Sequence, residues 1–415
     1  MAYEEQEINI GDIYEKIKKR APSKALGLIR NPFPPTGVAG MSTGEVPFLL
    51  RARCRSTLNM FVKAALEGND FCGLVIVGEY GSGKTSILRY FAHAVNNAQG
   101  FGIPVGSIYV SSPGSSFSDI LQSMIRAIGK EILVKYGWAL FIKWLKGSPG
   151  DQRFIEVGLP YPDKEHLITI NDAGSFWEVF DNKLLASRKI ITNAVNMVMV
   201  RELPDPYFAR NLAEMMLGDR STASETWSEF SKPVSSYGTK KPVVSDRMAS
   251  ILKICRVNGI DHLFVLVDEF EDVAFNRMSK KMRDDFTATL RAIIGDQGSN
   301  LSIVIASNLP GWRLLVRSDA SLEDRFKFKI ELDQLDDEEV FELINKYITH
   351  AKDPDSESTA KMVFSRELTS FVANTRHRIP RPILITFHAL VENYWDDLTP
   401  PTLEDIENYL SQVNA

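Results

Sequence analysis

Residues 75–86 read VIVGEYGSGKTS, and this segment restricts the chain to a narrow set of folds. Gly78, Gly81, Gly83, Lys84 and Thr85 fill the pattern G-x-x-x-x-G-K-[ST] without a mismatch. An apolar run, Leu74 to Val77, precedes it, and helical periodicity from Ser86 to Asn96 follows. A strand, a glycine-rich loop and a helix in that order make a phosphate-binding P-loop. The glycines let successive N–H groups turn inward on phosphate oxygens, and the helix N-terminus adds partial positive charge. The expected binding set is Gly78, Glu79, Tyr80, Gly81, Ser82, Gly83, Lys84, Thr85 and Ser86. Lys84 would reach the β- and γ-phosphates of ATP, and the Thr85 hydroxyl would ligate Mg²⁺.

Composition sets outer bounds. A chain of 415 residues has room for two or three domains. With 24% charged and 44% hydrophobic residues it reads as an ordinary soluble globular protein. The net charge of −5 gives no global case for nucleic acid, so any such site must be a local patch. Cys54, Cys72 and Cys255 are scattered without metal spacing and read as reduced thiols of a cytoplasmic protein. Six histidines form no zinc pattern. The first residues are polar and acidic, unlike a secretion signal, and no apolar run reaches the ~18–20 residues of a membrane span.

Along the chain, residues 1–30 suggest a short helix and a basic stretch, EKIKKR, read as a solvated face; NPFPPTG (Asn31 to Gly37) suggests an extended segment. Leu49 to Leu66 has helical spacing, with Leu50, Cys54, Leu58, Phe61, Val62 and Leu66 on one face. Strands are expected at Gly106–Ser111, His262–Val267, Leu301–Ala306 and Phe326–Leu332, and helices at Asp119–Val134, Ala139–Leu145, Phe176–Leu203, Tyr207–Met216, Arg247–Asn258 and Met282–Ile294. Ser221 to Pro242 has the polar composition of a mobile connection. From Asp336 the pattern is helical, broken at HRIPRP and LTPPT. Strands alternating with helices predict an α/β fold: a P-loop three-layer sandwich with a central parallel sheet, a C-terminal all-α lid and a helical insertion.

His262–Val267 is apolar on both faces, as a central strand of a covered parallel sheet must be, and it runs into Asp268-Glu269. An acidic pair at the carboxyl end of such a strand is the Walker B arrangement. Asp268 would hold Mg²⁺, and Glu269 would polarise the water that attacks the γ-phosphate. Glu271 and Asp272 read as solvated or capping residues. Asn308, closing the next strand, would hold the attacking water; the alternative is an ordinary strand-end turn residue. Arg325, before the last strand, would stabilise transition-state charge in a neighbouring subunit; the alternative is a surface arginine paired with Glu323 or Asp324. Arg381, in RHRIPRPILITFHAL, would report nucleotide state to the lid, with Arg376 and Arg378 competing for that role.

The order of these motifs resembles the AAA+ ATPases. Within them the chain looks most like the initiator branch and its relatives, the transposition-regulator ATPases. The carriers are NPFPP, FLLRARCRSTLNMF, IYVSSPGSSFSDILQSMIRAIG and RFKFKIELDQLDDEEVFELI. The resemblance implies ATP bound between subunits of a homo-oligomer and a core over residues 46–335, after an N-terminal segment (1–45) and before a lid (336–415). Thr85 and Asp268 stand about 180 residues apart, further than compact AAA+ cores allow. A helical insertion over about 135–244 is therefore expected. Its aromatic residues, Trp138, Phe141, Trp144, Phe176, Trp177 and Phe180, suggest a projecting module that binds a partner protein, about half of them filling its own core. About 35 residues follow Arg381, too few for the winged-helix domain of origin-binding relatives, so an origin initiator is not expected. A second, looser resemblance is to ATP-binding proteins of BREX-type phage-defence systems.

Two functional classes follow. The first is an ATP-driven oligomeric switch or motor acting on DNA or a DNA-processing partner, with contacts from Arg277, Lys280, Lys281 and Arg283 or from Lys240 and Lys241. The second is a STAND-like signalling ATPase whose nucleotide state gates assembly with a protein effector. A small-molecule kinase would leave the acidic pair and the lid arginine unexplained.

Overall fold

The computed structural model describes residues 28, 30–37, 51–68, 70–114, 116–148, 150–180, 186–232, 244–271, 279–352, 364–394 and 402–414. The basic stretch at 15–20, Arg277, Asp272 and Lys240-Lys241 lie outside them. The chain divides into two compact units. One comprises Ser56–Val77 and Lys84–Glu331; the other comprises Met1–Arg55, Gly78–Gly83 and Leu332–Ala415.

The larger unit is built on a sheet whose strands run in the order β2-β3-β4-β1-β5. Helix α1 (Ala52–Glu67) leads to β1 (Cys72–Gly78), α2 (Lys84–Gly100) and β2 (Val105–Val110). Then come helices α3 (Phe117–Ile128), α4 (Lys130–Lys146), α5 (Gln152–Glu156), α6 (Lys164–Thr169), α7 (Ala173–Phe180), α8 (Arg188–Glu202), α9 (Pro206–Leu217), α10 (Arg220–Phe230) and α11 (Val244–Val257). The chain returns to the sheet with β3 (His262–Val267), α12 (Lys280–Gln297), β4 (Leu301–Ser307), α13 (Leu309–Ser318), α14 (Ser321–Arg325) and β5 (Phe328–Leu332).

Strands β1 and β4, β3 and β4, and β2 and β3 pair in parallel. Every residue of β3 and β4 is buried, which explains why they are mostly apolar on both faces: helices cover both faces. Val77 pairs with Ser307, and Val267 with Ile305 and Val110. The carboxyl ends of β1, β3 and β4 therefore lie along one edge.

Several local expectations need correction. On α1 the buried stripe is Cys54, Leu58, Phe61 and Ala65; Leu66 is exposed. The helix expected at 119–134 breaks at Gly129, whose φ of 84° a side chain would resist, and α4 starts beyond it. The helix expected over 176–203 is two helices, α7 and α8. The tail read as mobile begins with α10, whose N-terminus is capped by Asp219 accepting from Thr222 N–H at 2.8 Å.

The helices between β2 and β3 do not stand apart from the sheet. Trp138, Phe141, Trp144, Phe176 and Phe180 are buried in one continuous apolar cluster with Val265 and Ile305 of the sheet. Trp138, Phe141, Phe176 and Phe180 form a chain of ring contacts at 4.6–5.9 Å within it. More of the aromatics are buried than the half expected, and the core they fill is shared. Arg247 of α11 is buried there too, its Nε donating to Asp205 at 2.8 Å while Asp205 caps α9.

The smaller unit holds α15 (Asp337–His350), α16 (Arg366–Thr375), α17 (Pro380–Tyr394) and α18 (Leu403–Asn414). Asp336 and Glu339 form a capping box at the start of α15. The NPF segment is anchored rather than merely extended. Phe33 is buried against Tyr347, Phe364 and Phe387. The Asn31 amide donates to the His388 carbonyl at 3.1 Å and to Glu392 at 2.8 Å. Among the described residues no helix is long and apolar enough to cross a membrane.

Candidate nucleotide site

Within the larger unit, Lys84 opens α2 and is buried, with Thr85 and Ser86 half-buried behind it. The Lys84 ammonium lies 3.7 Å from Glu271 Oε1. Glu271 therefore is not a solvated residue: its other oxygen, Oε2, is buried without a hydrogen-bond partner.

Asp268 follows β3 and is 3% exposed. Its N–H donates to the Val110 carbonyl at 2.9 Å, carrying the β2–β3 ladder one residue past the strand. Its carboxylate accepts from the Tyr109 hydroxyl at 2.7 Å and from Glu269 N–H at 3.0 Å. Burial, then the bond and charge of Asp268, hold the Tyr109 phenol well above its ordinary pKa, so Tyr109 remains a donor. Glu269 is exposed and sits at φ 51°, the left-handed region that non-glycine residues avoid.

Asn308 closes β4 and caps α13, its Oδ1 accepting from Gly311 N–H at 2.7 Å. The turn-residue role and the water-holding role do not exclude each other, because capping uses the carbonyl and leaves Nδ2 as the donor. A Cβ on Gly311 would lie 2.7 Å from Ser307 Oγ and 3.3 Å from the Glu271 Cα, so the backbones behind β3 and β4 approach closely here. Arg325 ends α14, half-buried; among the described residues it makes no ion pair with Glu323 or Asp324.

Within the smaller unit lie Gly78–Gly83. Gly81 and Gly83 have φ of 82° and 103°. A Cβ on Gly78 would stand 2.5 Å from Ser82 Oγ, whereas beside Gly83 there is open space. The Ser82 hydroxyl is buried without a partner. Positive-φ glycines, an unmatched hydroxyl and room beside Gly83 fit a phosphate cradle. Glu79 is exposed, as is Tyr80, at 76%.

Of the three candidate lid arginines, Arg381 meets this loop. Its guanidinium lies 4.8 Å above the Tyr80 ring, with Nη1 donating to the Tyr80 hydroxyl. Its Nε donates to the Thr36 carbonyl at 3.0 Å, and its N–H to the Gly81 carbonyl at 3.3 Å. Arg376 instead bonds Thr386, and Arg378 bonds Asp337 and the Leu335 carbonyl.

Sequence reasoning missed Tyr109 and misjudged Glu271. Tyr109 carried a faint signal, a hydroxyl in a strand that ends beside the acidic pair. Glu271 carried none, since its partner is distant in sequence.

No protein-family profile matches the sequence, and no curated protein is similar to it. Among solved structures, the chain is similar to the Aeropyrum pernix ORC2 protein in ADPNP–ADP complexes, with 12% identity, a TM-score of 0.46, and 88% of this chain and 69% of that chain covered. The ADP form of ORC2 gives 13% identity and a TM-score of 0.46, covering 88% and 70%. The Aeropyrum pernix ORC1 protein in complex with DNA gives 12%, 0.41, 88% and 66%. The α/β P-loop assignment stands on strand order and on the residues at the sheet edge.

Proposed function

We propose that the chain is a Mg²⁺-dependent ATPase of the AAA+ type. It works as an oligomeric, nucleotide-dependent switch or motor on DNA or a DNA-processing partner. The observation that carries this reading is the placement of buried Lys84, buried Asp268 beside Glu269, and Asn308 after successive elements of one parallel sheet.

Bound ATP and Mg²⁺ would supply the phosphoryl electrophile and a divalent charge. Lys84 neutralises phosphate charge, while Thr85 and Asp268 provide the metal's oxygen ligands. Glu269 accepts the proton of the attacking water, and Asn308 Nδ2 orients that water. Arg325 acts in trans on the neighbouring subunit's site, a role supported by its lack of an ion pair with Glu323 or Asp324. Arg381 is the lid residue that reads the loop, supported by its bond to Tyr80.

Exposed Lys280 and Lys281 at the start of α12 supply candidate phosphate contacts, together with half-buried Arg283. A role in mobile-element control or anti-phage defence is supported by the motif resemblance, and a cytoplasmic location by the scattered cysteines. Exposed Ile155 and Ile168 on α5 and α6 favour the second reading, an effector-binding signalling ATPase. ATP turnover measured with and without duplex DNA separates the two. Strong, salt-sensitive stimulation supports the motor, and indifference to DNA supports the signalling protein. No nucleotide binding at all refutes both.

A further inference from the structure

Tyr109 and Asp268 lie on neighbouring strands at positions that pairing makes neighbours. Tyr109 pairs with Leu266, and Asp268 is two residues beyond Leu266. With side chains alternating along a strand, both residues project from the same face of the sheet. The backbone bond from Asp268 to Val110 holds that register at the strand's end. The Tyr109 hydroxyl then reaches Asp268 Oδ2 at 2.7 Å, while Glu269 N–H holds Oδ1 at 3.0 Å. Two donors, one on each oxygen, stop the carboxylate from turning.

The Tyr109 hydroxyl carries a single proton, and that proton is given to Asp268.

We propose that Tyr109 is a positioning residue for metal binding: through its hydrogen bond it presents the Asp268 carboxylate to the divalent cation of a metal–nucleotide complex. The inference rests on the ATPase reading. Partners of this kind behind a metal ligand are worth about 10–100-fold in metal affinity.

The test is Tyr109→Phe, which keeps the ring and removes the hydroxyl. Binding of a fluorescent ATP analogue would be titrated with Mg²⁺, and Mn²⁺ binding to the nucleotide complex followed by electron paramagnetic resonance. The expected result is a metal midpoint raised about tenfold, with nucleotide affinity in EDTA unchanged. An unchanged midpoint overturns the inference, as does an equal loss with and without metal, which marks a merely structural role. Adding Tyr109→Phe to Asp268→Asn should produce no further shift; a second full shift means that Tyr109 does not act through Asp268. Wild-type protein that binds no nucleotide overturns the ATPase reading and this inference with it, whereas a wild-type response shared by the variant overturns this inference alone.

Discussion

Glu271→Gln should tighten nucleotide binding, against the usual expectation for a change inside an active site. Lys84 and Glu271 lie 3.7 Å apart, with side chains 9% and 21% exposed. At an effective dielectric of about 20 the direct attraction is about 4–5 kcal/mol. Desolvation of two buried charges offsets most of it, leaving a net of about 1–2 kcal/mol. A phosphate arriving at Lys84 must overcome that attraction and the repulsion of a carboxylate whose second oxygen is already unpartnered. Glutamine preserves shape and removes the charge. Nucleotide affinity should rise about 5–30-fold, and the thermal stability of the nucleotide-free protein should fall slightly. Calorimetric titration of the wild type and the variant with ADP and a slowly hydrolysed ATP analogue gives both affinities. Unchanged or weaker binding by Glu271→Gln would falsify the competition.

Three further outcomes are expected. Lys84→Ala should lose nucleotide binding, because no other described ammonium opens α2; retained micromolar affinity in a binding titration means that the loop is misassigned. Glu269→Gln should bind ATP with wild-type affinity and turn it over ~10²–10⁴-fold more slowly; a wild-type rate in a phosphate-release assay removes Glu269 from the chemistry. Arg325→Ala should bind ATP yet hydrolyse it poorly, and mixing it with Lys84→Ala should restore turnover at hybrid sites; absence of rescue in a mixture shown to co-assemble eliminates action in trans.

The parts of this protein that depend on neighbours in sequence are legible in the sequence itself. His262–Val267 is a strand with those very limits, since an apolar run followed by two acids has few other solutions. The P-loop was equally plain, because its backbone needs glycine at fixed spacing. Interactions across long separations were not legible. Glu271 resembles any acid after a strand until β3 and α2 are packed, and Tyr109 is one more aromatic in a strand until the register sets it beside Asp268. The lid arginines could not be ranked by pattern, since Arg376, Arg378 and Arg381 share a basic loop and differ only in what each touches. The helices between β2 and β3 were recognisable as helices, but composition does not tell a private core from a shared one.

That shared core has an evolutionary consequence. A segment with its own interior can be gained, lost or exchanged as a cassette, because its boundary is already finished for solvent. The stretch from α4 to α11 has no such boundary: its buried residues belong to the same apolar cluster as Val265 of β3 and Ile305 of β4. Interiors are close-packed, so excision leaves a wall of exposed apolar side chains rather than a trimmed domain. Diversification of this stretch is therefore confined to single-residue changes on its outer helical faces, while its inner faces evolve with the sheet as one inherited block.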